Sequence, residues 1–201
     1  MFKKLLIVSG VLAASSSVAF AGGGNYKGEE MAPCPVFTYT AGPYVGLSLG
    51  SRNNYSGSPT VFRGIDGNLS LGYGMMMSQF YLAGEIFGIW TANVKDLQYT
   101  QGTTSTSAKS NWAWGISLLP GYMIVDRVLG YVRLGGGRTH FNGTGVSDTV
   151  TGWHIGPGAS IALNQNWDLR GEYIYTRYNT VTNLGKTSSD VFNLGVVYKF
   201  L

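Results

Sequence analysis

The chain has 201 residues, of which only 12% are charged, 13% are aromatic and 30 are glycine. Its formal net charge of +4 owes much to Lys3 and Lys4, since the rest of the chain has 12 basic side chains against 10 acidic ones. This balance argues against nucleic acid as a partner, and the composition favours strands and turns over helices. We therefore predict a single all-β domain.

The N-terminal segment has the three parts of a bacterial secretory signal. Lys3 and Lys4 are basic, residues 5–14 are apolar, and Ala19-Phe-Ala21 is a small-x-small cleavage site. The apolar run is about ten residues long, short of the roughly twenty that a membrane-spanning helix needs. We predict that residues 1–21 are a signal peptide cleaved after Ala21 and that the mature protein is exported.

The segment after the signal, residues 22–41, is punctuated by glycine and proline and shows no period. We interpret it as a periplasmic lead-in. Cys34 is the only cysteine of the chain and cannot form an internal disulfide, so we expect a free thiol there. The remaining residues, 42–201, are predicted to form the folded domain.

Alternation of apolar with small or polar residues predicts eight strands in this domain. In chain order they are 42–52, 61–74, 80–94, 110–124, 129–141, 151–163, 167–178 and 191–200. The connections are predicted to alternate between long loops, at 53–60, 95–109, 142–150 and 179–189, and tight turns, at 75–79, 125–128 and 164–166. Pro120 and Pro157 fall inside predicted strands, and we expect a bulge or a strand end at each.

The last strand indicates which face of the sheet meets lipid. Phe192, Leu194 and Val196 alternate with Asn193 and Gly195. The strand ends in Tyr198 and Phe200, whose rings suit the layer between hydrocarbon and water. In hydrocarbon every backbone N–H and C=O must be paired, so the sheet has to close. We predict a closed eight-stranded antiparallel transmembrane β-barrel, an up-and-down meander with its apolar face outward and both termini in the periplasm.

Four stretches carry a family resemblance. They are Pro120-Gly-Tyr122, Gly130-Tyr-Val-Arg-Leu-Gly-Gly136, Trp167-Asp-Leu-Arg-Gly-Glu-Tyr-Ile-Tyr-Thr176 and Val196-Val-Tyr-Lys-Phe200. In order and spacing they resemble the opacity and OmpA-like family of small eight-stranded outer-membrane barrels. The resemblance implies a monomeric Gram-negative surface protein, antigen-like or adhesin-like, whose loops contact host-surface molecules.

The same resemblance implies the remaining partners. These are outer-membrane lipid and lipopolysaccharide, the periplasmic chaperones, and the barrel-insertion machinery, which would read Tyr198 and Phe200 as a C-terminal signal. We expect no cofactor. Residues 95–109 and 179–189 are rich in threonine, serine and asparagine, so they are the candidate contact loops.

Six charged residues are predicted to point into the lumen: Glu85, Arg133, Asp168, Arg170, Glu172 and Lys199. Eight strands leave an interior just wide enough for side chains, and unpaired charges there would be costly. We predict that these side chains pair in a network that plugs the barrel. The alternative is that the network re-pairs to form a narrow porin conducting small solutes or ions.

Five tryptophans lie near predicted strand ends: Trp90, Trp112, Trp114, Trp153 and Trp167. We interpret them as interface girdles rather than ligand platforms. The glycines at 135–137 are expected to make room for bulky lumen side chains opposite.

The sequence gives little support to catalysis. His140 and His154 are the only histidines. His154 is followed by Ile155-Gly156, without the His-x-Ser spacing of the lipid A deacylases, and we expect both histidines to lie near loops in solvated or interfacial positions. Spaced histidine or cysteine sets are also missing from the sequence, so we predict neither an enzyme nor a metal site.

Overall fold

The computed structural model describes residues 39–55, 61–95, 108–143, 146–179 and 187–200. The predicted signal peptide, most of the lead-in and Cys34 lie outside these ranges. Eight strands occur in the described part of the chain: β1 (Pro43–Tyr55), β2 (Val61–Met77), β3 (Phe80–Lys95), β4 (Ala108–Val125), β5 (Val128–Gly143), β6 (Val146–Ala162), β7 (Trp167–Tyr178) and β8 (Ser188–Lys199).

The sheet is a closed meander. Each strand pairs antiparallel with its neighbour in sequence, and β8 pairs with β1, so the order β1 to β8 closes on itself. The predicted eight-stranded antiparallel barrel is confirmed. In the described ranges there is no helix long and apolar enough to cross a membrane.

The two faces of the sheet have opposite character. On β8, Leu194 is 53% exposed on the outer face, whereas Asn193 is 2% exposed on the inner face. The same alternation holds around the barrel, where Leu49, Ile86 and Ile116 are exposed. This inverts the arrangement of a soluble protein and is typical of a barrel whose outer surface meets lipid.

The barrel has a turn end and a loop end. The turn end contains the start of β1, the end of β8 and the connections at 78–79, 126–127 and 163–166. The last turn is held by the Asn164 side chain, whose Oδ1 accepts hydrogen bonds of 2.9 Å from the backbone N–H groups of Asn166 and Trp167. The opposite ends of the strands, from the end of β1 to the start of β8, form the loop end.

One predicted loop is wrong. Residues 142–150 were expected to be a polar loop, but β5 runs to Gly143 and β6 begins at Val146, with Phe141 opposite Asp148. Only residues 144–145 remain as a connection, so the expected alternation of long loops and short turns fails here. The physical reason is strand length, since a membrane takes only about 9–11 residues of a tilted strand. Beyond the hydrocarbon a strand is in water, where polar residues are compatible with it.

Pro120 and Pro157 also depart from expectation. The β4–β5 pairing runs from Leu118 opposite Leu134 to Gly121 opposite Tyr131 without a register shift, and Pro157 lies opposite Val132 inside β6. Because the backbone N–H of a strand residue points to one neighbouring strand only, each proline removes one ladder bond and leaves the register intact. The register shifts of β4 and β5 occur elsewhere, between Ser110 and Trp112 and between Met123 and Val125.

The lumen is filled in layers. An apolar cluster at the turn end contains Tyr39, Tyr81, Leu119 and Leu129. A smaller apolar cluster at the loop end consists of Phe141, Val150 and Tyr178. Buried polar and charged side chains occupy the space between them.

Candidate functional site

Four charged side chains meet across the middle of the lumen, and we call Glu85, Arg133, Arg170 and Glu172 the central cluster. Arg133 Nη2 donates to Glu85 Oε1 at 2.5 Å and to Glu172 Oε1 at 2.9 Å. Arg170 Nη1 donates to Glu85 Oε2 at 2.7 Å. All four side chains are buried. They project from the alternate strands β3, β5 and β7, so the cluster joins walls that are not neighbours in the sheet.

Two tyrosines that the sequence did not single out complete the central cluster. Tyr44 donates its hydroxyl to Glu85 Oε2 at 2.9 Å, and Tyr131 donates to Glu172 Oε1 at 2.6 Å. The Arg170 guanidinium lies 5.2 Å from the centroid of the Tyr44 ring and 5.7 Å from that of Tyr131. Both contacts are within cation–π range. Tyr131 is two positions before Arg133 in the same strand, so the alternation puts both side chains on the inner face. This was the signal in the sequence from which a lumen role for Tyr131 could have been predicted.

Glycines on adjoining strands leave room for these side chains. A Cβ at Gly158 would lie 2.4 Å from Cζ of Tyr131. A Cβ at Gly135 would lie 2.6 Å from Nε2 of His154 and 2.2 Å from the backbone oxygen of Ile116. At position 135, the expectation that glycine makes room for a bulky lumen side chain therefore agrees with the structure.

A second ion pair lies near the turn end, and we call Asp168 and Lys199 the turn-end pair. Lys199 Nζ is 2.8 Å from Asp168 Oδ1. Tyr39, which precedes β1, covers the pair: its ring centroid is 4.1 Å from Lys199 Nζ and 5.7 Å from the ring of Tyr81. Burial raises the pKa of the Tyr39 phenol, which keeps it uncharged. The lead-in therefore places an aromatic ring in the turn-end mouth of the lumen.

A third polar group, near the loop end, was missed in the sequence. Arg52 Nε donates to Asp66 Oδ2 at 2.6 Å, and Arg52 Nη1 donates to the Tyr178 hydroxyl at 3.0 Å. Thr91 Oγ1 donates to Asp66 Oδ1 at 2.8 Å. We call Arg52, Asp66, Thr91 and Tyr178 the loop-end cluster. The alternation places Arg52 and Asp66 on the inward face, but Arg52 is the last residue of its predicted strand, where a solvated charge is the ordinary expectation.

The expectation for His154 is wrong. It is 6% exposed and lies in the lumen, with Nε2 2.9 Å from Ser117 Oγ and its ring 5.3 Å from that of Phe87. The error follows from the misplaced start of β6, which puts position 154 well inside the strand. Ser117 also accepts a 3.2 Å hydrogen bond from Arg133 Nη1, so this serine and histidine belong to the polar network around the central cluster.

His140, by contrast, lies on the outer face near the loop end. Its ring stacks on Trp112 at 5.5 Å, and its Nδ1 is 3.1 Å from Thr149 Oγ1. This position agrees with the expected interfacial role.

The five tryptophans all lie on the outer face and are 40–59% exposed. Trp90 and Trp112 are opposite each other on β3 and β4 in the loop-end half. Trp167 is at the turn end, where its ring is 5.0 Å from Tyr198, which is in turn 5.0 Å from Phe200. The C-terminal aromatics therefore join one group at the turn end.

No set of three or more histidine, cysteine, aspartate or glutamate side chains that could hold a metal ion occurs among the residues described.

A closed barrel with an apolar outer face and a lumen lined by buried polar and charged side chains is the architecture of an outer-membrane β-barrel protein. Residues 8–200 match the family described as "Outer membrane protein beta-barrel domain", and the chain belongs to that family. The protein is located in the cell outer membrane.

The chain is also similar to individual outer-membrane proteins. The chain is 27% identical over 185 residues to the 31 kDa outer-membrane immunogenic protein of Brucella melitensis, covering 72% of this chain and 73% of that protein. Its fold resembles Neisserial surface protein A, with a TM-score of 0.56 and 21% identity over 79% of this chain and 97% of that one. It also resembles Ail, the attachment invasion locus protein of Yersinia pestis, with a TM-score of 0.53 and 16% identity over 80% of this chain and 100% of that one.

Proposed function

We propose that this outer-membrane barrel has a structural or surface-interaction role, antigen-like or adhesin-like, and that its lumen is plugged by charged side chains. The observation that carries the plug is the position of Arg133. Its guanidinium lies between Glu85 of β3 and Glu172 of β7 and bonds to both. A solute crossing the lumen would have to displace this contact.

The energetics favour a closed state. Removing one partner of a buried ion pair typically costs about 3–5 kcal/mol, because the other charge is left without compensation. The central cluster contains three such contacts, at Glu85 with Arg133, Glu85 with Arg170, and Glu172 with Arg133. The turn-end pair and the ring of Tyr39 close the lumen a second time.

The surface role is supported by the placement of the connections. Tight turns face the periplasm in outer-membrane barrels and longer loops face outward. Residues 96–107 and 180–186 lie outside the described ranges, and the strands that they connect, β3 with β4 and β7 with β8, have their facing ends at the loop end. The relatives named above include an immunogenic protein and an attachment protein, and host-surface molecules are the partners that we propose for these loops.

Loop exchange tests this role. Residues 97–106 and 180–186 would each be replaced by a short glycine-serine linker, with replacement of residues 56–60 as the matched control. Heat-modifiable migration on gels would verify folding. We expect loss of adhesion to host cells on removing either long loop. Unchanged adhesion with both long loops removed would contradict the surface role.

The outer face supports lipopolysaccharide as the lipid partner. Arg138 is opposite Trp114, and Arg177 is opposite Trp153, all exposed near the loop end. Cations beside indole rings at the membrane interface suit anionic headgroups. At the other end, Tyr198 and Phe200 are the residues that we propose the barrel-insertion machinery reads.

The narrow porin remains the alternative function. It is favoured by the number of partners around Arg133, which bonds to Ser117 as well as to both glutamates and could release one acid while keeping the others. Swelling of vesicles that contain the refolded barrel, in sugars and amino acids of increasing size, separates the two. The plug predicts no swelling above empty vesicles, and the porin predicts swelling that decreases with solute size.

We propose no catalytic activity. Ser117 and His154 lie deep in the lumen, where Arg133 competes for the serine oxygen. Mass spectrometry of lipid A from cells with and without the protein tests this, and an altered lipid A would contradict it.

A further inference from the structure

Two small cavities lie side by side in the lumen, on the loop-end side of the central cluster. Each has a volume of about 30 Å³. Arg52, Phe87, Ile89, His154 and Thr176 line both cavities. One cavity also reaches Arg133 of the central cluster, and the other reaches Tyr178 of the loop-end cluster. The cavities therefore connect two groups of charges that make no direct ion pair.

Two asparagines point to a ligand in the cavity that reaches Arg133. Asn68 and Asn193 both line it and are 7% and 2% exposed. Within the described ranges, Oδ1 of Asn68 and both Oδ1 and Nδ2 of Asn193 have no hydrogen-bond partner. A buried polar group left without a partner costs about 1–3 kcal/mol, so proteins satisfy such groups with ordered water.

The chemistry of the lining selects the ligand. The unpartnered set contains acceptors and a donor from neutral amides, and a water molecule can both donate and accept. A cavity holds a water when it offers at least about 10–15 Å³ and two or more polar partners, and both conditions are met. Sugars and amino acids are far larger than these cavities.

We infer that the two cavities are a water-binding site that holds one or two ordered waters in each, and that the waters in the cavity that reaches Arg133 complete the hydrogen bonds of Asn68 and Asn193. These waters link the loop-end cluster to His154 and the central cluster as one polar network. The apolar cluster at the turn end is different, because Leu119 and Leu129 are fully buried there among tyrosine rings. The lumen is thus hydrated at the two cavities and dry around Leu119 and Leu129. This inference does not rest on the plug, since bound water and ion conduction are separate readouts.

Nuclear magnetic resonance tests the site on the mature barrel refolded in lipid nanodiscs. With ¹⁵N-asparagine labelling, we expect cross-relaxation between water and the side-chain amide protons of Asn193, with the sign that marks a long-lived bound water. The exposed Asn179 serves as the bulk-solvent reference. The backbone amides of Leu119 and Leu129 serve as the dry reference, in a separately labelled sample.

A matched variant extends the test. Asn193→Leu keeps a similar volume and removes the polar atoms, and we expect the water signal at the Asn68 amide to fall in a barrel that still folds. Absence of water cross-relaxation at Asn193 in the wild type would overturn the inference. That wild-type reading decides the question even where the variant does not fold. Equal water signals at Asn193 and at the two leucine amides would also overturn it, because the apolar cluster would then be as wet as the cavities.

Discussion

Arg170 and Glu85 come from β7 and β3, strands on opposite sides of the barrel, and their Nη1 and Oε2 atoms lie 2.7 Å apart. An ion pair across the diameter is possible because an eight-stranded barrel leaves an interior only as wide as the side chains that fill it. The pair therefore ties together the two walls that are farthest apart in the sheet. Arg133 of β5 extends the tie to Glu172.

This arrangement makes the barrel more sensitive to loss of the Glu85 charge than to loss of the Glu172 charge. Glu85 bonds to two arginines and Tyr44, whereas Glu172 bonds to one arginine and Tyr131. We expect Glu85→Gln to lower the free energy of unfolding by about 3–5 kcal/mol, and Glu172→Gln by less, because each leaves a buried guanidinium undercompensated.

Urea unfolding in lipid vesicles, followed by tryptophan fluorescence, measures the effect. Asp126→Asn, in an exposed turn, is the control and should change the unfolding free energy by less than about 0.5 kcal/mol. Equal stability of the Glu85 and Asp126 variants would contradict the role of the central cluster.

The loop-end cluster predicts non-additive substitutions. Arg52→Met leaves Asp66 buried without its cation, and we expect a loss of about 3–5 kcal/mol in unfolding free energy. Arg52→Met combined with Asp66→Leu removes both charges, so the double variant should be more stable than Arg52→Met alone. A double variant whose loss equals the sum of the two single losses would show that Arg52 and Asp66 do not act as a pair.

Alanine substitutions at two glycines distinguish the effect of lumen packing on stability from the effect of strand propensity. At Gly135 a Cβ would meet the Ile116 backbone oxygen at 2.2 Å, whereas at Gly84 nothing lies within 4 Å. We expect Gly135→Ala to lower the unfolding free energy by about 1–3 kcal/mol through overpacking, and Gly84→Ala to leave it unchanged or slightly raised. The same urea titration compares them, and equal effects would contradict the close approach of Ile116 and His154 to Gly135.

Tyr39 predicts a loss of stability at high pH. Burial raises the pKa of its phenol in the folded state above the ordinary value of 10.0. The uncharged phenol therefore contributes stability that is complete below about pH 10 and is lost as the pH rises through the folded pKa. The wild type should lose stability between pH 9 and about 11.5 more steeply than Tyr39→Phe, which has no ionisable group there. The other buried tyrosines are common to both proteins, so the difference isolates Tyr39, and parallel curves would contradict its burial.

The sequence was sufficient to predict which face of the sheet each charged side chain lies on, because this is a local property of the strand. In β7, Asp168, Arg170 and Glu172 alternate with Leu169 and its outward neighbours, and a period of two fixes the face of each residue without knowledge of the fold. The structure places all three in the lumen.

The partners of those charges could not be read in the same way. Glu85 and Arg133 are 48 positions apart, on strands that are not adjacent, and which side chains meet depends on the stagger of the closed barrel. Tyr44 was missed for the same reason, since no local pattern distinguishes a lumen partner from an ordinary inward residue.

Strand ends were the weakest part of the sequence-based account. Trp153 and Ile155 face outward, so the alternation puts His154 on the inner face. The polar residues at 142–150 nevertheless predicted a loop there, and this placed His154 near the start of a strand. Polar composition marks a loop in a soluble protein. In this barrel it also marks the part of a strand that extends past the membrane.

Single-channel recording of the refolded mature barrel in planar bilayers tests the central claim most directly. We predict no discrete openings for the wild type over the voltage range in which a porin standard conducts, because in the proposed plug the central cluster closes the lumen between β3, β5 and β7. Well-defined wild-type openings that disappear in Glu172→Ala would contradict this account and identify the cluster as a gate.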